Sequence, residues 1–243
     1  MTTRRSPGGR LATVLLTAAA LVATLAGCSG TGPSAPSAAA SATATSSPGF
    51  PATATPTRSP VVAAAIGDSI AIGNGVPADD AWPLLVADHF GWTLSDFAES
   101  AAGFTAPGLN THIFDDQVSA AIRVHPEVVI VGATRNDVFA PTGTLKAAAT
   151  AALKRLRAAL PHARIIGVSA LWGSDPAPAQ IPVISATVRA AVAGVGGTWV
   201  ELGQPFAGHP ELVQADHVHP TVEGQRLLAQ KVTDGIAAQL PER

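Results

Sequence analysis

The feature that most restricts this chain is an alternation that begins at Val61. Short, uninterrupted apolar runs take turns with longer segments whose apolar residues recur every three or four positions. Val61-Val62-Ala63-Ala64-Ala65-Ile66 is the first such run, and Val128-Val129-Ile130-Val131 is the clearest. Arg164 to Ser169, built on Ile165, Ile166 and Val168, and Thr198 to Leu202 follow, with Thr93 to Ala98 a weaker member. A strand that is apolar on both faces belongs in a parallel sheet covered on both sides by helices. The intervening spacing predicts those helices: Pro77 to Phe90, a segment marked by Val118, Ala121 and Ile122, and Leu145 to Leu160. Two more run along Ile181, Ile184, Val188 and Val192, and over Thr221 to Leu240. Prolines at 126 and 161 stop the second and third. Five strands alternating with helices predict an α/β three-layer domain with a parallel sheet over residues 61–243.

The first sixty residues have another composition. They hold four arginines (Arg4, Arg5, Arg10, Arg58) and no acid, which leaves 11 basic and 17 acidic groups, a net charge of −6, in residues 61–243. Nucleic acid binding needs a positive footprint, so an acidic domain argues against it. Residues 1–28 read as an export signal, with arginines ahead of an uncharged stretch of 16 residues from Leu11 to Ala26. A permanent bilayer span needs roughly 20 apolar residues. The stretch stops at Leu25-Ala26-Gly27-Cys28, which resembles the lipobox of bacterial lipoproteins. That resemblance implies a lipid carried on Cys28 and membrane attachment through this lipid alone. Cys28 is also the only cysteine, which excludes an internal disulfide framework and any cysteine-based zinc site. Residues 29–60 are nearly all Ser, Thr, Ala, Pro and Gly. Such a segment buries too little apolar area to offset its chain entropy, and it is expected to act as a tether spanning roughly 30 Å.

Ligands of parallel α/β sheets bind beyond the carboxyl ends of the strands. Gly67-Asp68-Ser69 follows the first strand, so the Ser69 hydroxyl is expected to be exposed there. A serine becomes a nucleophile only when an oriented base removes its proton. Asp216-His217-Val218-His219 supplies both parts in one short loop, since a carboxylate three residues before an imidazole can bond its Nδ1 and free Nε2 for the serine. Asn136, after the third strand, can donate to a developing oxyanion, and Gly103 can bring a bare backbone N–H close. Asp68 and Asp137 are expected to bond loop amides, His217 to stay outside the chemistry, and Arg135 to form an ion pair on its loop. A metal site from Asp216, His217 and His219 is disfavoured, because histidines at i and i+2 in a tight loop rarely converge. Gly167-Val168-Ser169-Ala170-Leu171 lacks the last glycine of the G-x-S-x-G elbow, so Ser169 reads as strand.

Gly67-Asp68-Ser69-Ile70, Gly103 after Ser100, Asn136-Asp137 after Gly132, and Asp216 with His219 resemble, in order, the blocks of the GDSL or SGNH hydrolase family. They span residues 66–220. The resemblance implies a flavodoxin-like strand order 2-1-3-4-5 and a serine esterase without a cofactor. A monomer that binds no metal is expected. It further implies Ser69, Asp216 and His219 as triad, with an oxyanion hole formed by the N–H groups of Ser69 and Gly103 and the Asn136 side chain. One position departs from the pattern: Thr134 stands two residues before the asparagine, where the family usually has glycine.

The substrate is less constrained. The surface tether and the absence of a lid-sized insertion favour a carbohydrate or cell-envelope O-acyl esterase of short acyl groups. A lysophospholipase, thioesterase or lipase uses the same residues, and a binding lipoprotein on a decayed esterase fold is the non-enzymatic alternative. Phe104, Thr134 and Trp172 are the residues expected to line the substrate groove. The segments Phe104 to Phe114 and Trp172 to Ile181 are expected to shape the acyl pocket.

Overall fold

The computed structural model describes residues 59–239. The signal-like segment with Cys28, and the 29–60 segment up to its last two residues, lie outside the described residues. Five strands, β1 (Val61–Ile66), β2 (Trp92–Asp96), β3 (Val128–Gly132), β4 (Arg164–Val168) and β5 (Thr198–Val200), form one sheet in the order β2-β1-β3-β4-β5. Every pairing in it is parallel. The α/β class and the parallel sheet are those expected from the sequence pattern, and the strand order is the one the family resemblance implies.

The helices are α1 (Ser69–Ile72), α2 (Trp82–Phe90), α3 (Phe114–Arg123), α4 (Thr142–Ala159), α5 (Gln180–Ala193) and α6 (Val222–Ala237). Residues alternate across the sheet, so each central strand feeds two cores. Ala64, Ile66, Val129, Val131 and Ile165 pack with α3, α4 and α5 on one face. Ala63, Val128, Ile130, Ile166 and Val168 pack with α2 and α6 on the other. That double burial is the physical origin of the unbroken apolar runs. Full burial of each valine or isoleucine among them stabilises the fold by roughly 1.5–3 kcal/mol.

Two elements differ from expectation. The segment predicted as one helix from Pro77 is broken: residues Ala78–Asp80 form a single 3-10 turn, Ala81 is extended, and α2 starts at Trp82. Pro83 sits in the first turn of α2, where its missing N–H costs nothing. Strand β5 stops at Val200, short of Leu202, because the Ser169 hydroxyl replaces the ladder and accepts the Leu202 N–H at 2.9 Å. Ser169 is buried in this role one residue past the end of β4, not within the strand as expected.

Candidate active site

The carboxyl end of β1 turns directly into α1. Asp68 has extended backbone and caps the helix, its carboxylate accepting the Ile70 N–H at 2.9 Å. Ser69 is therefore the first helical residue, and its N–H donates to no acceptor among the described residues. Two buried glutamines grip this turn from opposite layers. Gln117 of α3 accepts the Gly67 N–H at 2.9 Å and donates to the Gly67 carbonyl at 3.0 Å. Gln225 of α6 donates to the Ile70 carbonyl at 3.0 Å and accepts the Trp82 N–H at 3.1 Å. Sequence reasoning missed both. The available signal was a polar residue on an apolar helical stripe: Gln117 beside Phe114, Val118 and Ala121, and Gln225 beside Leu228, Ala229 and Val232.

The loop before α6 brings the imidazole to this serine. His219 Nε2 lies 2.8 Å from Ser69 Oγ, and His219 Nδ1 lies 2.6 Å from Asp216 Oδ2. The other Asp216 oxygen accepts the N–H groups of Val218 at 2.9 Å and His219 at 3.0 Å. Burial raises the Asp216 pKa, but hydrogen bonds from the His219 ring and from the His219 and Val218 amides outweigh it and bring it to about 2. An ionised carboxylate only accepts, so Nδ1 carries the proton and the Nε2 lone pair faces the serine. The tight curl requires left-handed backbone at His217, with φ of 59°. Gln214 ties the loop down by donating to the carbonyls of Asn74 at 2.6 Å and Pro220 at 2.9 Å. His217 turns away from this chain of bonds, its Nδ1 3.3 Å from Ser174 Oγ.

Beyond β3, the Asn136 side chain donates to the Ala102 carbonyl at 2.9 Å, leaving its second amide hydrogen without an acceptor among the described residues. Asp137 is buried and accepts the N–H groups of Phe104 at 2.9 Å and Thr105 at 2.8 Å, so it shapes the loop after β2 as expected. Asp68, also buried, has its pKa raised by desolvation against the lowering effect of Thr134, Ile70 and His219.

Four expectations need correction. Gly103 gives its N–H to the Ala106 carbonyl at 2.9 Å, so that donor is already engaged and is not offered to an oxyanion. Glycine is required there for another reason: a Cβ would meet the Asp137 carboxylate at 2.8 Å. Thr134 is 1% exposed and lines no groove. Its hydroxyl donates to Asp68 Oδ2 at 2.5 Å and accepts the Asn136 N–H at 3.1 Å, which locks the serine turn to the asparagine loop. Phe104 is 3% exposed and packs against Phe114 in the core, with ring centroids 4.9 Å apart. Arg135 forms no ion pair among the described residues. Its guanidinium lies 3.7 Å above the Trp172 ring and donates to the Trp172 carbonyl at 2.8 Å. Trp172 itself is half-buried after β4, beside the site.

Thus a hydroxyl, an imidazole poised to take its proton, a carboxylate orienting that imidazole and two unspent N–H donors meet at the carboxyl edge of the sheet, a set equipped for acyl transfer. Comparison with known proteins points the same way. The model of the GDSL-like lipase/acylhydrolase family matches residues 65–227. A GDSL lipase of Mycobacterium tuberculosis is 28% identical over 194 residues, 73% of this chain and 82% of that protein. The psychrotrophic esterase EstA from Pseudoalteromonas shares the fold with a TM-score of 0.59 at 18% identity, over 74% of this chain and 98% of the esterase. A family two carbohydrate esterase from Clostridium thermocellum, solved with cellohexaose, gives a TM-score of 0.61 at 18% identity, over 74% of this chain but only 65% of that one. By its sequence blocks, its sheet and its match to the family model, this chain belongs to the GDSL-like lipase/acylhydrolase family, the SGNH esterases.

Proposed function

We propose that the chain is an exported, lipid-anchored serine ester hydrolase that works through an acyl-enzyme on short O-acyl groups of carbohydrate or cell-envelope material. The observation that carries the chemistry is the continuous relay from Ser69 Oγ to His219 Nε2 at 2.8 Å and from His219 Nδ1 to Asp216 at 2.6 Å. In this reading His219 takes the Ser69 proton as Oγ attacks the ester carbonyl. The tetrahedral oxyanion is held by the Ser69 N–H and the free amide hydrogen of Asn136. His219 then gives its proton to the departing alcohol, and water repeats the sequence on the acyl-enzyme. Asp216 stays ionised throughout and holds the imidazole in the required tautomer.

Short acyl groups are favoured because Phe104 and Phe114, the aromatic residues of the loop after β2, are committed to the core. Kinship of fold with a carbohydrate esterase supports the saccharide side of the reading. Export and anchoring rest on the arginine-led apolar segment and on Cys28. One observation favours a second reading, hydrolysis of lipid acyl esters: Leu109 is 77% and Phe139 96% exposed, on loops that follow β2 and β3. A series of p-nitrophenyl esters from acetate to palmitate separates the two readings, acetate being the expected optimum. Ser69→Ala and His219→Ala are each expected to abolish acetate release. Wild-type rates in both variants would end the assignment.

A further inference from the structure

The serine chemistry leaves Arg135 unused. It directly precedes Asn136, and its guanidinium is half-buried against Trp172. One of its five N–H groups is satisfied, by the Trp172 carbonyl, and the rest have no acceptor among the described residues. The two carboxylates whose charges it feels, Asp68 and Asp216, are both engaged elsewhere, with Thr134 and with His219. A partly desolvated cation with a planar face stacked on indole and its donors unspent is the arrangement that recognises carboxylate or phosphate. It stands at the reaction face of a domain that is otherwise net acidic.

Its position also says which part of the substrate it meets. The sheet order puts the loops after β3 and β4 on the opposite side of β1 from the loop after β2. Next to Trp172, Gly173 packs so closely on the His217 carbonyl that a Cβ would lie 2.0 Å from it. Arg135 and Trp172 are thus joined to the histidine loop, and the group that must receive a proton from His219 is the departing alcohol.

We propose that Arg135, stacked on Trp172, is a specificity determinant that binds an oxyanion carried by the alcohol portion of the ester. The inference rests on the serine hydrolase reading of Ser69, His219 and Asp216, and it adds the substrate class. Carboxylate and phosphate share the required chemistry, and matched substrates distinguish them. With the full chain, kcat/KM is measured for an O-acetyl methyl glucoside against the corresponding O-acetyl methyl glucuronide. Acetyl glycerol is measured against acetyl glycerol 3-phosphate. At least one anionic member is expected to exceed its neutral partner about tenfold, chiefly through KM, with the advantage shrinking as salt screens the charge. Arg135→Gln is expected to collapse that ratio to about one, and Arg135→Lys to leave an intermediate value. An arginine that merely stapled two loops would lower both members of a pair alike. Wild-type ratios of about one for both pairs, or a preference that survives Arg135→Gln, overturn the inference. If Arg135→Gln fails to fold, Arg135→Lys, which keeps the charge, carries the test: a preference that it leaves at the full wild-type value overturns the inference. Neutral esters cleaved by the wild type and not by Ser69→Ala keep the underlying reading intact whichever way the ratios fall. Absence of any Ser69-dependent cleavage overturns both.

Discussion

Asn136 divides its amide between two tasks, one hydrogen fixing the side chain on the Ala102 carbonyl and the other remaining for the reaction. A donor held in advance costs no reorganisation when charge develops, and loss of one such donor typically lowers turnover by about 10²–10³. Asn136→Ala is therefore expected to lower kcat by that factor with little change in KM, while circular dichroism remains that of the wild type. At this scale the sequence was informative where chemistry demands a residue type. Ser69, His219, Asp216 and Asn136 each carry a group that few others can replace; Ser69 and Asn136 fall just past the ends of β1 and β3, and Asp216 and His219 in the loop before α6. It was misleading where a residue's surroundings decide its role. Thr134 and Phe104 stand beside the site in sequence but are buried beneath it. Nothing local reveals that the Gly103 N–H is taken up by Ala106, because that bond depends on how Asp137 gathers the loop.

Elements were legible in proportion to how completely they are buried. The central strands β1, β3 and β4 read clearly because both faces are apolar. The edge strand β2 was weaker because Thr93 and Ser95 alternate with Trp92 and Leu94. Ends of elements were least legible, since side chains such as the Ser169 hydroxyl decide them. The end of β2 holds a further consequence. Asp96 accepts the Ala98 N–H at 2.9 Å, yet burial pushes its pKa up to about 6, the hydrogen bond only partly opposing. The folded protein thus holds this proton more tightly than the unfolded chain does. Stability contributed here is full below the ordinary value of 3.8 and falls as pH rises to about 6. Above that, the half-buried carboxylate costs on the order of 3 kcal/mol. Asp96→Asn keeps the acceptor and removes the charge. It is expected to raise the melting temperature near neutral pH by several degrees and to flatten its decline between mildly acidic and neutral conditions.

For the whole molecule, the first sixty residues carry no acid while the remainder is net acidic, and in the proposed reading the first part attaches the protein and the second does the chemistry. Among the described residues no helix is long and apolar enough to cross a membrane. The proposed attachment rests on Cys28. Cys28→Ser is expected to shift the protein from the membrane to the soluble fraction with its specific activity retained, as fractionation and ester hydrolysis would show. Chain entry at Val61 also has a mechanical meaning. β1 is bonded along both sides, to β2 and to β3, and its neighbours run parallel to it. A pull applied at the start of this strand acts along two ladders at once, in shear, so their bonds must fail together instead of unzipping one by one. A sheet entered through its interior strand would therefore resist, as one block, a pull on a molecule held by that end.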